Sequence, residues 1–423
     1  MRLSHKFKPK LSHKEKEIIN ELAWHTTKFY NIVNYQIKNN DDIRPVYSPL
    51  DKEFKSNWHC NFLMAHNRQH CLKQLAKDWK SYFKSIKEYK NNPNKYKGKP
   101  RPPKFKKMHK KPNEVIFTNE VARVQGDKGD KLVLSLQKGI KDKYQVQNLK
   151  FELPKAIQSL IHSDNAKIPK SHSVKNTLQQ VKIKYDKVSN ECYFLITYKQ
   201  EPKKKTKGNN IMSIDLGLDN LATITYKDNV DSQIINGKPL KSKNSYFNKE
   251  ITRLQQIRMK QTSSKHFKDT KEIKKLRTKR KNYVMDYIHK ASRKVIDLAK
   301  KHKVSKIIIG DLKEIKQDMD YNKSFVQIPI QKFKDLIKYK AKLEGIETII
   351  INEAFTSGCS ALDLEKLNRN NYDKTRRITR GLFKSNEGVK INADVNGSLN
   401  IMRKYLKDKC IPSAIWSDMK SIS

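Results

Sequence analysis

Residues 211–226 read IMSIDLGLDNLATITY. Two apolar, β-rich runs stand either side of a Gly217-centred break, which predicts a strand, a tight turn and a second strand. The chain beyond it changes period repeatedly. Residues 245–302 form a long basic helical stretch, broken near TSSK at 262–265, with Val284, Tyr287, Ile288, Ala291 and Val295 on one face. KIIIG at 306–310 reads as a strand, 332–344 as a helix, ETIIINE at 347–353 as a strand, and about Asp394 to Lys407 as a final helix. A hairpin followed by helix, strand, helix, strand and helix predicts a mixed α/β sheet with parallel strands joined by helical crossovers.

Towards the N-terminus the patterning differs. Residues 1–8 read as a strand. LSHKEKEIINELAWHTTKFYNIVNYQI opens on a capping box, Ser12 with Glu15, and carries apolar residues at helical spacing. SPLDKEF supplies a second start, with Ser48 as cap, Pro49 at the first helical position and Asp51 three after the cap. Helices continue to about Lys90, and NNPNKYKGKPRPPKFKKMHKKP then reads as a basic, extended linker. From about 114 to 200 EVIFTN, KLVLSL, QVKIKYD and ECYFLITYK predict strands of a small β-barrel or sheet domain, the last two forming a hairpin around KVSN. EPKKKTKGNN at 201–210 is a charged boundary.

Composition narrows the function. The 423 residues suffice for two or three domains, and 91 Lys+Arg against 43 Asp+Glu give a net charge of +48. Such a charge repels itself in a compact state unless a polyanion neutralises it, so nucleic acid is the expected main partner. Plain RNA binding of the ribosomal type is the reading that catalytic motifs must beat. No apolar run approaches the ~20 residues of a spanning helix, and MRLSHKFKPKLSHKEKE lacks the apolar core of a signal peptide, so a cytoplasmic protein without membrane contact is expected. Cys60, Cys71, Cys192, Cys359 and Cys410 form no CxxC pair and imply neither a disulfide framework nor a zinc site. No Ser-His-Asp or Cys-His set stands out, and 13 glycines leave little material for a phosphate-cradling loop.

The carboxylates carry more. Taken alone, Asp215 before a glycine is a turn former, and Asp394 at a helix start is a cap favoured by the macrodipole. Taken together, an acid ending the first strand and another opening the last helix of an α/β sheet have the layout of RNase-H-like nucleases. Such enzymes hold two Mg²⁺ about 4 Å apart on carboxylates, one activating water and one stabilising the leaving oxygen. Mg²⁺ takes oxygen ligands and binds substrate phosphate directly. Two carboxylates are too few, so a third is required.

KGKPRPPKFKK at 97–107, SIDLGLDNLATI at 213–224, SFVQIP at 324–329, EAFTSGCS at 353–360 and NADVNGSLNIMRKY at 392–405 occur in this order along nearly the whole chain. With them the chain resembles the TnpB proteins, transposon-encoded RNA-guided endonucleases from which type V CRISPR effectors are thought to descend. The resemblance implies an α/β fold with added β-barrel and helical domains. Residues 1–8 and 99–205 would form a wedge β-barrel, 9–98 an inserted helical recognition domain, and 206–423 a RuvC-like nuclease domain of RNase-H fold. A helical insertion at about 245–302 and a target-strand loading segment at about 358–391 would belong to the last. It further implies a guide RNA, transposon-end-derived or CRISPR-like, gripped by barrel and helices, and a target double-stranded DNA read at a short adjacent motif; the sequence leaves the oligomeric state open, with a monomer the expectation.

The chain departs from the family pattern twice. The two CxxC pairs of the usual zinc finger are missing: only Cys359 remains, RRITRGLFKSNEGVK fills the gap, and no zinc is expected. The strand that usually ends Glu-Asp-Leu reads Gly310-Asp311-Leu312. Four acids could substitute. Asp311 would face the opposite side of a continuing strand, Glu314 lies farther into the loop, and Glu344 before Gly345 reads as a solvated surface residue. Glu353 follows the next strand, about 10 Å from the Asp215 strand across two strand spacings, a span that inward-leaning side chains and metal–oxygen bonds of ~2.1 Å can bridge. Glu353 is the expected replacement, making Asp215, Glu353 and Asp394 the catalytic Mg²⁺-binding set. The rival is a nuclease-dead, RNA-guided DNA-binding protein such as a repressor. A conventional transposase, acting without RNA, is disfavoured by the absence of a Tyr-His-His-type or second acidic-triad module.

Lys97, Lys99, Arg101, Lys104, Lys106 and Lys107 predict an arm laid on phosphates, and Arg376, Arg377 and Arg380 with Phe383 are expected to guide a single strand towards Asp394, with Thr356 and Ser357 shaping the same loop. Tyr30, Tyr35, Trp58, Trp79 and Phe83 could stack on bases, although core packing is the expected role for most of them.

Overall fold

The computed structural model describes residues 1–108, 112–126, 129–158, 161, 176–185, 191–228, 230–263, 267–311, 328–379 and 381–407. The chain divides into two compact units, Met1–Glu201 and Pro202–Ser423. Helices and strands of the first unit share one continuous core, from Ile18 and Phe29 through Leu72 to Phe117 and Phe194.

In the first unit, β1 (Arg2–Phe7) leads into α1 (His13–Asn39), α2 (Tyr47–Phe54) and α3 (Ala65–Asn91). Then come β2 (Val115–Thr118), β3 (Ala122–Gln125), β4 (Lys131–Ser135), α4 (Lys138–Tyr144), β5 (Asn148–Glu152), α5 (Lys155–Gln158), β6 (Asn176–Tyr185) and β7 (Cys192–Gln200). The capping box of α1 is present: Ser12 Oγ accepts from the Glu15 amide while Glu15 reaches the Ser12 amide. α2 starts earlier than its motif suggests, with Val46 at the cap and no side-chain cap bond. The strands form a four-stranded sheet, β1-β7-β6-β2, and a three-stranded sheet, β3-β4-β5. β1 pairs antiparallel with β7, so the first residues complete a sheet whose other strands come after the helices. The basic stretch at 97–107 lies on the helices, because Asn34 Nδ2 donates to the Pro103 carbonyl (3.0 Å) and Asn31 exchanges two bonds with the Lys106 backbone (2.8 and 2.9 Å).

The second unit holds β8 (Asn210–Asp215), β9 (Asn220–Tyr226), β10 (Gln233–Asn236), α6 (Lys238–Thr262), α7 (Lys271–Lys301), β11 (Val304–Asp311), α8 (Ile330–Leu343) and β12 (Glu347–Asn352). It continues with β13 (Arg377–Thr379), β14 (Leu382–Lys384), β15 (Lys390–Asn392) and α9 (Ala393–Leu406). The main sheet runs β10-β9-β8-β11-β12; β8 is antiparallel to β9, and β11 is parallel to both β8 and β12. Strand alternation sends the two faces into different surroundings. Met212, Ile214, Ile307 and Ile309 pack with α7 and α8, whereas Ile211, Ile308, Ile349 and Ile351 gather around Ile401 of α9. Ser213 sits on the α9 face too, bonding the Thr225 hydroxyl (2.6 Å) and the Ser398 carbonyl (2.8 Å). That face positions the site.

Candidate active site

Continuing the alternation, Asp215 ends β8 on the α9 face with Ile211 and Ser213. Gly310 lies on that face with Ile308, and Glu353 on it with Ile349 and Ile351. The decisive geometry is at Gly310. A Cβ added there would stand 1.8 Å from Glu353 Oε1, 2.5 Å from its Cδ and 2.6 Å from its Cγ. The Glu353 side chain therefore occupies the space that any other residue at 310 would fill. Gly397 does the same for Asp215, since a Cβ there would meet Asp215 Oδ2 at 2.6 Å. Two glycines thus make room for two carboxylates.

Asp394 lies in the first turn of α9 without capping it. Asn392 is the cap, its Oδ1 accepting from the amides of Asp394 (2.9 Å) and Val395 (3.2 Å). The carboxylate is held instead by side chains: Oδ1 by Arg377 Nη2 at 3.2 Å and Oδ2 by Asn220 Nδ2 at 2.8 Å. Glu353, Asp215 and Asp394 form an electrostatic row. Burial pushes the Asp215 carboxyl above its ordinary range, and the Asp394 charge pushes it further against the relief that Arg377 gives. Burial raises Glu353 too, with Asp215 adding to it and Lys334 opposing. Glu353 Oε1 is buried and has no hydrogen-bond partner.

The other candidate acids are engaged elsewhere. Asp311, on the opposite face, accepts from Lys334 Nζ of α8 at 2.8 Å, and that lysine side chain is only 4% exposed. Glu344 is paired with Lys203 (2.6 Å) and Lys300 (3.6 Å) rather than simply solvated. Glu314 and Arg380 lie outside the described residues. Arg376 does not face the carboxylates; its Nη1 is bound to Glu365 Oε1 at 2.6 Å, inside the loop. Lys97, Lys99, Arg101, Lys104 and Lys107 are exposed along the arm, while Lys106 is half-buried with its ammonium over the Tyr30 ring. Tyr30 and Trp79 are core residues bonded to Asp78 and Asn34; Tyr35, Trp58 and Phe83 are exposed.

The loop after Glu353 is fixed by a polar ladder on α9 that the sequence reading missed. Asn400 Nδ2 donates to the carbonyls of Thr356 (3.0 Å) and Cys359 (2.8 Å). Asn396 bonds the Cys359 carbonyl and the Ala361 amide, and Arg403 bonds the carbonyls of Ser360 and Glu365. Thr356 Oγ1 closes the turn on the Glu353 carbonyl at 2.8 Å. The spacing of Asn396, Asn400 and Arg403 along one helix face was the available signal.

The donor set suits a hard divalent cation. It is all oxygen, it includes an unpartnered buried carboxylate oxygen, and Gly310 and Gly397 keep its approach clear. Among the described residues no three His, Cys, Asp or Glu side chains are gathered tightly enough to cage an ion unaided. Mg²⁺ is commonly bound by one or two carboxylates completed by water and substrate phosphate, so the residues fit that ion with DNA as co-ligand.

The family described as OrfB_IS605, probable transposase, matches residues 194–316, and the Cas12f1-like TNB domain matches residues 331–401. Relatives are the TnpB-like protein of Acidianus two-tailed virus and the CRISPR-associated endodeoxyribonuclease Cas12f1 of Sulfoacidibacillus thermotolerans. The viral protein is 26% identical over 205 residues, 47% of this chain and 43% of its own. The Cas12f1 is 28% identical over 239 residues, 55% of this chain and 54% of its own. Over these stretches the chain is similar to TnpB-like and Cas12f1 proteins. It aligns with only about half the length of these two relatives. Among solved structures, a Cas12f1–sgRNA–target DNA complex superposes with a TM-score of 0.51 at 17% identity, over 92% of this chain and 83% of that one, a likeness of fold. The described residues thus share a mixed α/β architecture of helices and several sheets with that complex. No helix among the described residues is long and apolar enough to cross a membrane.

Proposed function

We propose that this chain is an RNA-guided DNA endonuclease with a single RuvC-like site built on Asp215, Glu353 and Asp394. The observation that carries the reading is the exchange at Gly310: the family's usual acid is missing there, and the Glu353 side chain fills its space from the neighbouring strand. A guide RNA would pair with one DNA strand while the protein contacts backbone and a short adjacent motif, as in guided nucleases generally. The net charge of +48 and the exposed lysines of the 97–107 arm support a polyanionic partner. Likeness to an endodeoxyribonuclease in sequence, and in fold to the protein of an sgRNA–target DNA complex, supports the same class.

In this reading Asp215, Glu353 and Asp394 would hold two Mg²⁺ ions, whose chemistry would be to activate water and stabilise the leaving oxygen. The residues themselves do the positioning. β8 and β12 present two carboxylates on one face, α9 presents the third, and the buried Asn396–Asn400–Arg403 ladder keeps the Glu353 loop from drifting. Hydrolysis would leave a 5′-phosphate, and both strands would pass through the one site in turn. The test is plasmid cleavage in Mg²⁺ by protein copurified with its own RNA, beside Glu353→Gln. Cutting by the wild type alone supports the reading. Equal cutting would move the role to another acid, and shared silence with intact guided binding would make the chain a DNA-binding protein.

A further inference from the structure

Both oxygens of Asp394 are taken in this structure, one by Arg377 Nη2 (3.2 Å) and one by Asn220 Nδ2 (2.8 Å). A divalent ion binds a carboxylate through those same lone pairs. Arg377 therefore stands where positive charge belongs once the site is loaded, and it also faces Asp215, whose charge it favours. Its placement suits a temporary partner. Arg377 opens β13, a strand of three residues, and its side chain is 35% exposed with Nε left without a partner. A guanidinium binds a phosphodiester through a bidentate fork and is never deprotonated, so DNA phosphate is a competing acceptor of equal kind.

We propose that Arg377 is a resident counter-cation for Asp394, transferred to a substrate phosphate when DNA enters, so that DNA binding opens the third carboxylate to the metal. This rests on the carboxylate reading above. Asn220 stays as the positioning donor that keeps Asp394 turned into the site. The arrangement couples two ligands through one side chain. DNA phosphate must tighten metal binding, and by reciprocity metal must tighten DNA binding; removing the guanidinium must abolish that coupling. A purely structural ion pair predicts the reverse for the DNA-free protein: losing Arg377 would loosen Asp394 and weaken the metal.

The experiment measures Mn²⁺ binding by electron paramagnetic resonance on full-length protein with its copurified RNA and no DNA. Arg377→Ala and Arg377→Gln are compared with wild type, and Asp394→Asn in each background gives the signal owed to RNA, which is subtracted. Both neutral variants should bind Mn²⁺ at least fivefold more tightly, a gain that Asp394→Asn abolishes. A short phosphorothioate DNA strand should tighten Mn²⁺ in wild type and leave the variants unchanged. Arg377→Gln keeps an aliphatic stem and a neutral hydrogen-bonding amide, which guards against loss of the hairpin in the alanine variant. Unchanged or weaker Mn²⁺ binding in both overturns the proposal. If wild type cuts matched DNA while the variants show no gain, the counter-cation fails and the nuclease reading stands. If the variants gain metal while wild type cuts nothing, the nuclease reading fails and the counter-cation stands.

Discussion

Gly310→Ala tests the relocated carboxylate with one methyl group. The new Cβ would lie 1.8 Å from Glu353 Oε1, against 3.4 Å at the near edge of ordinary contact, so that oxygen must retreat by at least 1.6 Å. Cγ, at 2.6 Å, is displaced too, which forces a rotamer change rather than a small lean. A misplacement of ~1 Å at a reacting centre costs about 10²-fold in rate. Cleavage should therefore fall by about 10²-fold or more, about 2.7 kcal/mol in the barrier. Stability should move little. Gly310 lies in β11 without a positive φ, and Gly→Ala at such a site contributes roughly 0.4–1 kcal/mol through the unfolded chain. The atoms it meets belong to a side chain able to swing outward, which also relieves a buried, unpartnered oxygen. Plasmid cleavage beside thermal denaturation reads both quantities on one preparation. Gly310→Glu combined with Glu353→Ala returns the carboxylate to β11 and should recover part of the activity lost in Glu353→Ala. Gly310→Ala cutting as fast as wild type would refute the reasoning, because Glu353 could not then be the acid that matters.

Gly397→Ala should act likewise through Asp215, whose Oδ2 would be 2.6 Å from the new Cβ; the ~1 kcal/mol of helix propensity gained should leave Tm level or higher while cleavage drops. Asn400→Ala removes both carbonyl contacts from a buried donor and should lower stability by about 1–3 kcal/mol in denaturant unfolding, while making residues 353–361 exchange amide hydrogens faster. Without metal, the raised carboxyls of Asp215 and Glu353 mean that the folded protein binds more protons than the unfolded chain. The site's contribution is then best at low pH and is lost as pH climbs from the ordinary carboxylate range near ~4 through neutrality. Asp215→Asn or Glu353→Gln should flatten that decline in Tm, and added Mg²⁺ should reverse it in wild type only.

Much of this site could be read before any coordinates, for a physical reason. Asp215 and Asp394 sit where a strand ends and a helix begins, and such ends leave periodic traces in sequence. Short apolar runs separated by helical spacing gave a mixed α/β sheet, and the RNase-H-like order expected for it put Glu353 beside the gap at Gly310. What stayed hidden depends on side-chain reach. The grip of Arg377 on Asp394 links residues 17 apart through a hairpin of three-residue strands, too short to show alternation. The burial of Lys334 against Asp311 reads from sequence as one more surface lysine. α4, KGIKDKY, interrupts a strand-rich region with a lysine-dense turn of helix that carries a single buried residue, Ile140. The start of α2 was misplaced because Ser48 and Pro49 make a persuasive cap motif, yet the helix already begins at Tyr47.

The position of α9 in the chain sets an order of manufacture. The first unit ends at Glu201, and the sheet of the second is complete by Asn352, yet Asp394 and the ladder that steadies the Glu353 loop arrive only with α9. At ~5–20 residues per second, roughly 10–40 s of translation separate the end of the first unit from the arrival of that helix. During that interval a nascent chain would present the basic residues of its first unit while the proposed hydrolytic centre still lacks a carboxylate. On the proposed function, a guide would be taken up before the chain could cut.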